Sequence, residues 1–306
     1  MSISNKKNII IIGPGRSGTT SLFDALASQR HIACSNVKET FYFSKGIIKY
    51  SNSKTSKVEN YSSFFDKNGD ITLEATPAYF VGGGEVARRI NNELENFVVI
   101  CVLRDPVERF LSLFQHVKNK VFFEPSLTLK SYVTQSKKTS KENLTVDTEA
   151  LHYSGFLESN YSNLIQEWLS VIERKRFFIL DYDRLSEIEY IKAAMMNIFE
   201  SLGVFEDFSI QMKKTNQSKI YRSMFLQKFA QNINMHCEPL FKKFYFLKLF
   251  LKKIYQVVNV SKKEDKNYLI DSSHIYKEME FDYVGLESCL KEYDYELPKW
   301  LNKNLH

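Results

Sequence analysis

The chain has 306 residues, of which 43% are hydrophobic, and this is enough to bury one large α/β core. Its 42 basic and 36 acidic residues give a net charge of +6, which favours anionic partners. This excess of basic residues is too small for a typical nucleic-acid-binding protein. The four cysteines show no CxxC spacing, which argues against a zinc site and a disulfide framework, so we expect no bound metal.

A short apolar run lies near the start of the chain. Residues 9–12 are four consecutive isoleucines that follow a polar stretch. The run is too short for a secretory signal or a membrane span. We therefore expect a cytoplasmic protein. From the length of the chain we also expect a single domain over residues 1–306.

The first predicted elements are a strand, a glycine loop and a helix. Residues 8–12 form a β-type run, the loop begins at Gly13, and helical spacing of apolar residues begins at Thr19. Such a loop directs backbone N–H groups and a helix N-terminus at one point, where a phosphate binds. The phosphate-binding residues that we predict in this loop are Gly15, Arg16, Ser17, Gly18, Thr19 and Thr20.

The glycine spacing of this loop equals that of a Walker A loop, but Thr19 stands where a nucleoside triphosphatase needs lysine. This difference argues against an ATPase. Arg16 lies inside the loop, where its guanidinium could bridge a leaving oxygen and a transferred group. A small-molecule kinase that uses ATP and Mg²⁺ stays open as an alternative, as does a nucleotide-binding protein without turnover.

Further strands are predicted at 38–43, 71–75 and 97–103, with a polar surface insertion at about 44–70. Residues 97–103 are apolar throughout, as expected of a central parallel strand with both faces covered. A helix should begin after this strand, because Asp105 is a good N-cap and is followed by proline and, three residues later, by glutamate.

Residues 119–150 are polar and too long for an ordinary connection, so they form a lid, a substrate loop or a disordered segment. Beyond them we predict a helix at 161–172, a strand at 176–181 and a helix at 191–202. The alternation of strands and helices predicts an α/β fold, with a central parallel sheet flanked by helices in a P-loop-like domain.

Residues 240–255 have the periodicity of a basic amphipathic helix, with apolar residues also on its lysine-rich side. Contact with the periphery of a membrane or with a partner would explain those residues. A helix wedged between the core and a loop would explain them equally well.

Two motifs together resemble those of the sulfotransferases that use 3′-phosphoadenosine-5′-phosphosulfate (PAPS). Residues 13–22 resemble the 5′-phosphosulfate loop of that family, and residues 104–112, RDPVERFLS, are similar to its 3′-phosphate motif. The resemblance implies that Arg104 and Ser112 bind the 3′-phosphate of PAPS and that Arg16 steadies the transferred group. It therefore implies a sulfotransferase that uses PAPS and releases PAP.

Residues 38–43, KETFYF, resemble the segment that provides the glutamate base in glycan sulfotransferases of the heparan sulfate type, which implies that Glu39 is the base. Taken alone, Glu39 would be interpreted as an exposed carboxylate or an ion-pair partner. Ala75 and Arg16 stand where the heparan-type enzymes carry lysine, so a heparan acceptor does not follow. We expect a carbohydrate or another compound with a hydroxyl or amine as the acceptor.

A late basic segment, 212–223, is similar in position to a loop that closes over the nucleotide in this family. The resemblance implies that Ser218 and Arg222 contact PAPS. A solvated run of charges is an equally good interpretation of this segment.

Overall fold

The computed structural model describes residues 6–29, 31–50, 58–65, 69–119, 127–205, 220–221, 223, 226, 255, 258–261, 272–279 and 281–304.

Five parallel strands form the central sheet. They are β1 (Lys7–Gly13), β2 (Ile32–Cys34), β3 (Ile71–Ala75), β4 (Phe97–Leu103) and β5 (Phe177–Asp181). Their order in the sheet is β2-β3-β1-β4-β5. The predicted parallel sheet is confirmed, and four of its strands lie where the sequence predicted strands. A separate two-stranded antiparallel pair joins β6 (Ile220–Tyr221) to β7 (Val260–Ser261).

The α-helices of the described residues cover both faces of the sheet. They are α1 (Thr19–Ala27), α2 (Tyr79–Glu93), α3 (Pro106–Lys118), α4 (Leu129–Lys138), α5 (Lys141–Val146), α6 (Gly155–Ser159), α7 (Tyr161–Leu169), α8 (Ile188–Ser201), α9 (Ser272–Met279), α10 (Tyr283–Glu292) and α11 (Lys299–Asn304). Short 3₁₀ helices lie at Tyr42–Ser44, Tyr61–Phe64, Ala150–Tyr153, Arg174–Arg176 and Tyr182–Arg184. Within the described ranges, no helix is both long and apolar enough to cross a bilayer.

Alternate residues of β1 belong to two different hydrophobic clusters. Ile9 and Ile11 pack with residues of α1 and α8, whereas Ile10 and Ile12 pack with residues of α2 and α7. Such alternation is the normal consequence of the two-residue period of a strand. Helices therefore cover both faces of β1, and its carboxyl end opens into the crevice where parallel sheets bind ligands.

The start of α3 follows its sequence signals. Asp105 is the N-cap, and one of its carboxylate oxygens accepts hydrogen bonds from the backbone N–H groups of Val107 (3.0 Å) and Glu108 (2.9 Å). Pro106 occupies the first helical position, where its missing N–H costs nothing. This cap fixes where the chain turns after β4, and Arg104 lies at that turn.

The prediction of a strand at 38–43 is wrong. The edge strand on this side of the sheet is β2, at Ile32–Cys34, and a 3₁₀ helix at Tyr42–Ser44 overlaps the end of the predicted segment. Glu39 and Phe41 have φ values of 65° and 53°, in the left-handed region that a strand cannot contain. The run of aromatic residues here reflects burial in the core rather than β-structure.

The two polar segments contain more packed structure than their composition indicates. In the insertion at about 44–70, Tyr61 and Phe64 are buried in the core, so the segment is not simply a surface excursion. The described part of 119–150 contains α4 and α5, which begin at capping boxes formed by Thr128 and by Ser140. Of the three alternatives predicted for this segment, the disordered one is therefore wrong for residues 127–150, and a lid or a substrate loop stays open. The predicted helix at 240–255 lies outside the described residues, apart from position 255.

Candidate active site

The loop between β1 and α1 has a conformation that requires glycine at two positions. Gly13 has a φ of 114°, and a Cβ atom there would lie 2.2 Å from the backbone oxygen of Pro77. Gly18 has a φ of 79° and is the N-cap of α1. The chain therefore turns tightly into the helix, as a phosphate-binding loop must.

The structure brings the predicted residues Arg16, Ser112 and Arg104 together at the carboxyl edge of the sheet. Nε of Arg16 donates to the hydroxyl of Ser112 (3.2 Å), and Nη1 of Arg104 donates to the backbone oxygen of Arg16 (3.2 Å). Arg16 follows β1, while Arg104 follows the neighbouring strand β4. The two sequence motifs therefore form one site.

The two guanidinium groups of this site repel each other. Burial and then the neighbouring charge of Arg104 lower the pKa of the Arg16 guanidinium. Two positive charges that are held close together in a partly buried crevice favour a ligand with negative charge between them. The electrostatics of the site thus suit a phosphate or sulfate group.

Arg104 is held by further contacts around the start of α3. Its guanidinium forms an ion pair with Glu108 (3.1 Å) and lies over the ring of Tyr182 at 4.5 Å from the centroid. The hydroxyl of Tyr161 donates to the backbone oxygen of Arg104 (2.9 Å). These contacts orient a cation whose side chain is still 18% exposed, and so accessible to a ligand.

The segment that carries Glu39 lies against the start of α1. The backbone N–H of Glu39 donates to the oxygen of Ala75 (3.1 Å), which ties the segment to the end of β3. The amine of the preceding Lys38 donates to the hydroxyl of Thr20 (2.5 Å), the second residue of α1. Glu39 is partly exposed, and its neighbour in the sequence, Lys38, contacts the predicted phosphate loop.

Two further loop residues are buried beside the helix start. Thr19 is 4% exposed and Ser17 is completely buried. The Ser17 hydroxyl has no hydrogen-bond partner within the part of the chain that the structure describes. A buried polar group of this kind is normally satisfied by a ligand, water or another protein group.

Sequence reasoning missed a buried ion pair beneath the loop. Arg109 in α3 and Glu158 in α6 form it, with Nη1 of Arg109 lying 3.0 Å from Oε2 of Glu158. The same carboxylate oxygen accepts from the backbone N–H of Gly15 (3.3 Å), and Oε1 accepts from the hydroxyl of Ser154 (2.5 Å). The pair links the predicted 3′-phosphate motif to the predicted phosphate loop through the core.

The position of Arg109 inside the RDPVER segment was an available signal, but no pattern pointed to Glu158. Arg109 is completely buried and also donates to the backbone oxygen of Gly155 (2.5 Å) and to the hydroxyl of Ser159 (2.7 Å). Burial raises the pKa of Glu158, while the adjacent Arg109 charge acts in the opposite direction. Because both side chains are buried, removal of either would leave the other as a buried charge without a partner.

Most of the late basic segment lies outside the described residues. Ser218 and Arg222, the predicted nucleotide contacts of that segment, lie outside the described residues. Tyr276 in α9 is described, and its hydroxyl lies 3.2 Å from the carboxylate of the N-cap Asp105. A late part of the chain thus reaches the start of α3. Over the described ranges, no cluster of histidine, cysteine and acidic side chains has the arrangement of a metal site.

Comparisons with known proteins point to the same family as the sequence resemblance. A sequence model of the sulfotransferase family matches residues 30–257. The membrane-associated sulfotransferase kil1 of Dictyostelium discoideum is 36% identical over 107 residues, which are 35% of this chain and 22% of that protein. The match thus spans about a fifth of the length of this curated relative.

A solved structure shares the fold. The sulfotransferase from Alicyclobacillus acidocaldarius superposes with a TM-score of 0.57 at 18% identity, covering 74% of this chain and 93% of that chain. The likeness at this identity concerns the fold alone. It agrees with the P-loop-like α/β architecture that the sequence predicted.

Proposed function

The chain belongs to the sulfotransferase family, and from this premise we propose that it transfers a sulfuryl group from PAPS to a hydroxyl or amine of an acceptor. The observation that carries the proposal is the meeting of Arg16, Arg104 and Ser112 at the carboxyl edge of the sheet. Binding of a nucleoside triphosphate would not explain the second cation, Arg104. A donor with phosphates at both its 3′ and 5′ positions explains it, because each phosphate would have its own arginine.

The residues at the site fit such a donor. The tight turn at Gly13 and the helix start at Thr19 provide the backbone geometry for an anion, and the buried Ser17 hydroxyl could donate to it. We propose that the 5′-phosphosulfate binds to Gly15, Arg16, Ser17, Gly18, Thr19 and Thr20, and the 3′-phosphate to Arg104 and Ser112. Ser218 and Arg222 remain proposed contacts from the late basic segment.

In the proposed mechanism, PAPS supplies the sulfuryl group and a phosphate leaving group when it is bound. Glu39 accepts the proton of the acceptor hydroxyl, because a neutral hydroxyl is a poor nucleophile. Arg16 stabilises the negative charge that develops between the leaving oxygen and the transferred group. Arg104 and Ser112 act in binding and orient the donor for these steps.

For the acceptor we propose a carbohydrate. The likeness of residues 38–43 to the base segment of glycan sulfotransferases supports this class. Ala75 and Arg16 replace lysines of the heparan-type enzymes, so the proposal does not extend to a heparan acceptor.

A double-label transfer experiment tests the proposed reaction. The full chain is incubated with a panel of glycans, lipids and small hydroxyl compounds and with either ³⁵S-labelled PAPS or γ-³²P-labelled ATP with Mg²⁺. We expect acceptor labelling from PAPS only, with the same yield in EDTA, because guanidinium groups and backbone N–H groups provide the charge stabilisation. Labelling from ATP that requires Mg²⁺ would instead assign a kinase. Binding of PAP without transfer to any acceptor would favour a non-catalytic nucleotide-binding protein.

A further inference from the structure

A buried carboxylate lies close to Glu39 but on the core side of its segment. Glu74 in β3 is completely buried, and its Oε2 accepts a hydrogen bond from the hydroxyl of Thr40, the residue that follows Glu39. Oε1 of Glu74 has no hydrogen-bond partner among the described residues. Burying a carboxyl group is costly, so its retention here calls for an explanation beyond packing.

The segment that Glu74 contacts has a strained backbone. Glu39 and Phe41, on either side of Thr40, have φ values of 65° and 53°. Left-handed conformations of residues other than glycine are energetically unfavourable, and they persist only where the surroundings enforce them. Thr40 lies between them and is completely buried, so hydrogen bonds to its side chain can fix the conformation of the segment.

A chain of hydrogen bonds runs from the segment into the core and ends at Glu74. The backbone N–H of Phe43 donates to the hydroxyl oxygen of Tyr79 (3.2 Å), and this hydroxyl lies 3.0 Å from the hydroxyl of Thr40. The N–H of Tyr42 also donates to the Thr40 oxygen (3.3 Å). Because the Thr40 hydroxyl donates to Glu74, Tyr79 can donate to Thr40, and the carboxyl group is the final acceptor of the chain.

We propose that Glu74 is a positioning residue that acts through Thr40 to hold Glu39 in the conformation in which its carboxylate serves as the base. The proposal rests on the proposed function, since it assigns Glu74 a role only if Glu39 is the base. It makes Glu74 and Thr40 positioning residues, which act on the base and touch neither the donor nor the acceptor. A displacement of about 1 Å in a catalytic group can lower a rate by about 10²-fold, which sets the scale of the expected effect.

The protonation of Glu74 adds a pH-dependent signature. Burial raises the pKa of Glu74 to about 7, and the nearby hydroxyls of Thr40 and Tyr79 act in the opposite direction. Tyr61, from the 3₁₀ helix at Tyr61–Phe64, also interacts electrostatically with Glu74, and Glu93 interacts in turn with Tyr61. An ionised acceptor forms the stronger hydrogen bond, so the segment should be held more firmly above pH 7 than below it.

The stability of the protein should change with pH in the opposite sense. At low pH, where Glu74 is protonated in both states, its raised pKa does not lower the free energy of unfolding. As the pH rises from the ordinary pKa of 4.5 to about 7, the unfolded chain loses this proton more readily than the folded one, and the free energy of unfolding falls. Above pH 7, Glu74→Gln should therefore be more stable than the native chain, although it loses the pH-dependent step in turnover. A residue with a purely structural role would not separate stability from turnover in this way.

The test uses Glu74→Leu, Glu74→Gln and Thr40→Val in the full chain. Thr72→Val is the matched control, because Thr72 is also completely buried in β3 and its hydroxyl donates to Asn8 (2.6 Å), away from the Glu39 segment. Amide hydrogen exchange at Tyr42 and Phe43 reports the hydrogen-bond chain directly, and it needs no acceptor. Turnover is followed as PAPS consumption, with water or with the acceptor from the labelling experiment, and PAP affinity is measured by calorimetry.

We expect Glu74→Leu and Thr40→Val to speed exchange at both amides by about 10-fold or more, and to lower turnover by about 10- to 100-fold. PAP affinity should stay within about twofold, because the donor residues are not changed. Glu74→Gln keeps an acceptor for Thr40, so it should restore turnover to within about threefold while removing the inflection near pH 7. Thr72→Val should change neither readout, and Thr40→Val serves in place of Glu74→Leu if the latter does not fold.

Unchanged exchange at Tyr42 and Phe43 in both Glu74→Leu and Thr40→Val would overturn the proposal, as would faster exchange with native turnover. The base assignment fails separately, if Glu39→Gln itself retains native turnover. If Glu39→Gln is inactive and the Glu74 and Thr40 variants are normal, only the positioning role is wrong.

Discussion

Glu39→Gln is expected to lower turnover by about 10²- to 10⁴-fold, the usual contribution of a general base, while PAP affinity stays nearly unchanged. Glutamine has nearly the same size and can keep the backbone hydrogen bond to Ala75, but it cannot take a proton from the acceptor. The groups that we assign to donor binding belong to other segments. Steady-state turnover of PAPS with the identified acceptor, together with PAP calorimetry, checks this prediction.

Glu93→Gln is a suitable control for the change at Glu39. Glu93 is an exposed carboxylate that accepts a hydrogen bond from Tyr42 (2.8 Å), in the same segment as Glu39. Its substitution removes one negative charge near the segment and should leave turnover within about twofold, since surface interactions of this kind are weak. Near-native turnover of Glu39→Gln, or loss of its PAP binding, would contradict the assignment.

Arg109→Met is expected to destabilise the fold by about 3–5 kcal/mol, because it leaves the buried carboxylate of Glu158 without its partner. Glu158→Leu should cost a similar amount for the reciprocal reason. The double variant should recover much of the loss, since an apolar pair can replace a buried ion pair at little cost. Denaturant unfolding of the three variants measures these differences.

The ion pair between Lys175 and Glu173 provides the control for this series. Its N–O distance is 2.8 Å, comparable to that of the buried pair, but its side chains are 74% and 62% exposed. Lys175→Met should therefore cost less than about 1 kcal/mol. In the double variant, PAP affinity should remain reduced although stability returns, because the hydrogen bond from Gly15 to Glu158 is lost. A cost below 1 kcal/mol for both single variants would show that the buried pair does not hold the loop.

The sequence was most informative where the chain follows one local rule. Residues 97–103 are apolar throughout and form a strand buried on both faces, and the cap at Asp105 fixes the start of α3. The glycine loop and the 3′-phosphate motif predicted Arg16, Arg104 and Ser112, and the structure brings these residues together. Local signals suffice in these places because caps, turns and buried strands each depend on neighbouring residues.

The failures have long-range causes. The aromatic run at 38–43 owes its burial to packing in the core, and Thr40, between its two left-handed residues, donates to Glu74, a distant residue of β3. Likewise, Arg109 and Glu158 are separated by 49 positions, so no local pattern joins them. The helices within 127–150 were missed although Thr128 and Ser140 are good caps, because the third helical residues are serine and asparagine rather than glutamate or glutamine.

The measurement that tests the central claim most directly compares the thermal stabilisation of the chain by PAP, 5′-AMP and ATP. If Arg104 and Ser112 bind a 3′-phosphate, PAP should stabilise most, because only PAP satisfies both phosphate sites. Ligand at about 100 times its dissociation constant adds roughly 2.7 kcal/mol, which is a Tm shift of at least several degrees at about 2–4 °C per kcal/mol. Arg104→Ala should remove most of the difference between PAP and 5′-AMP, and EDTA should leave the PAP shift intact. Equal shifts with PAP and ATP, or a shift that requires Mg²⁺, would contradict the account.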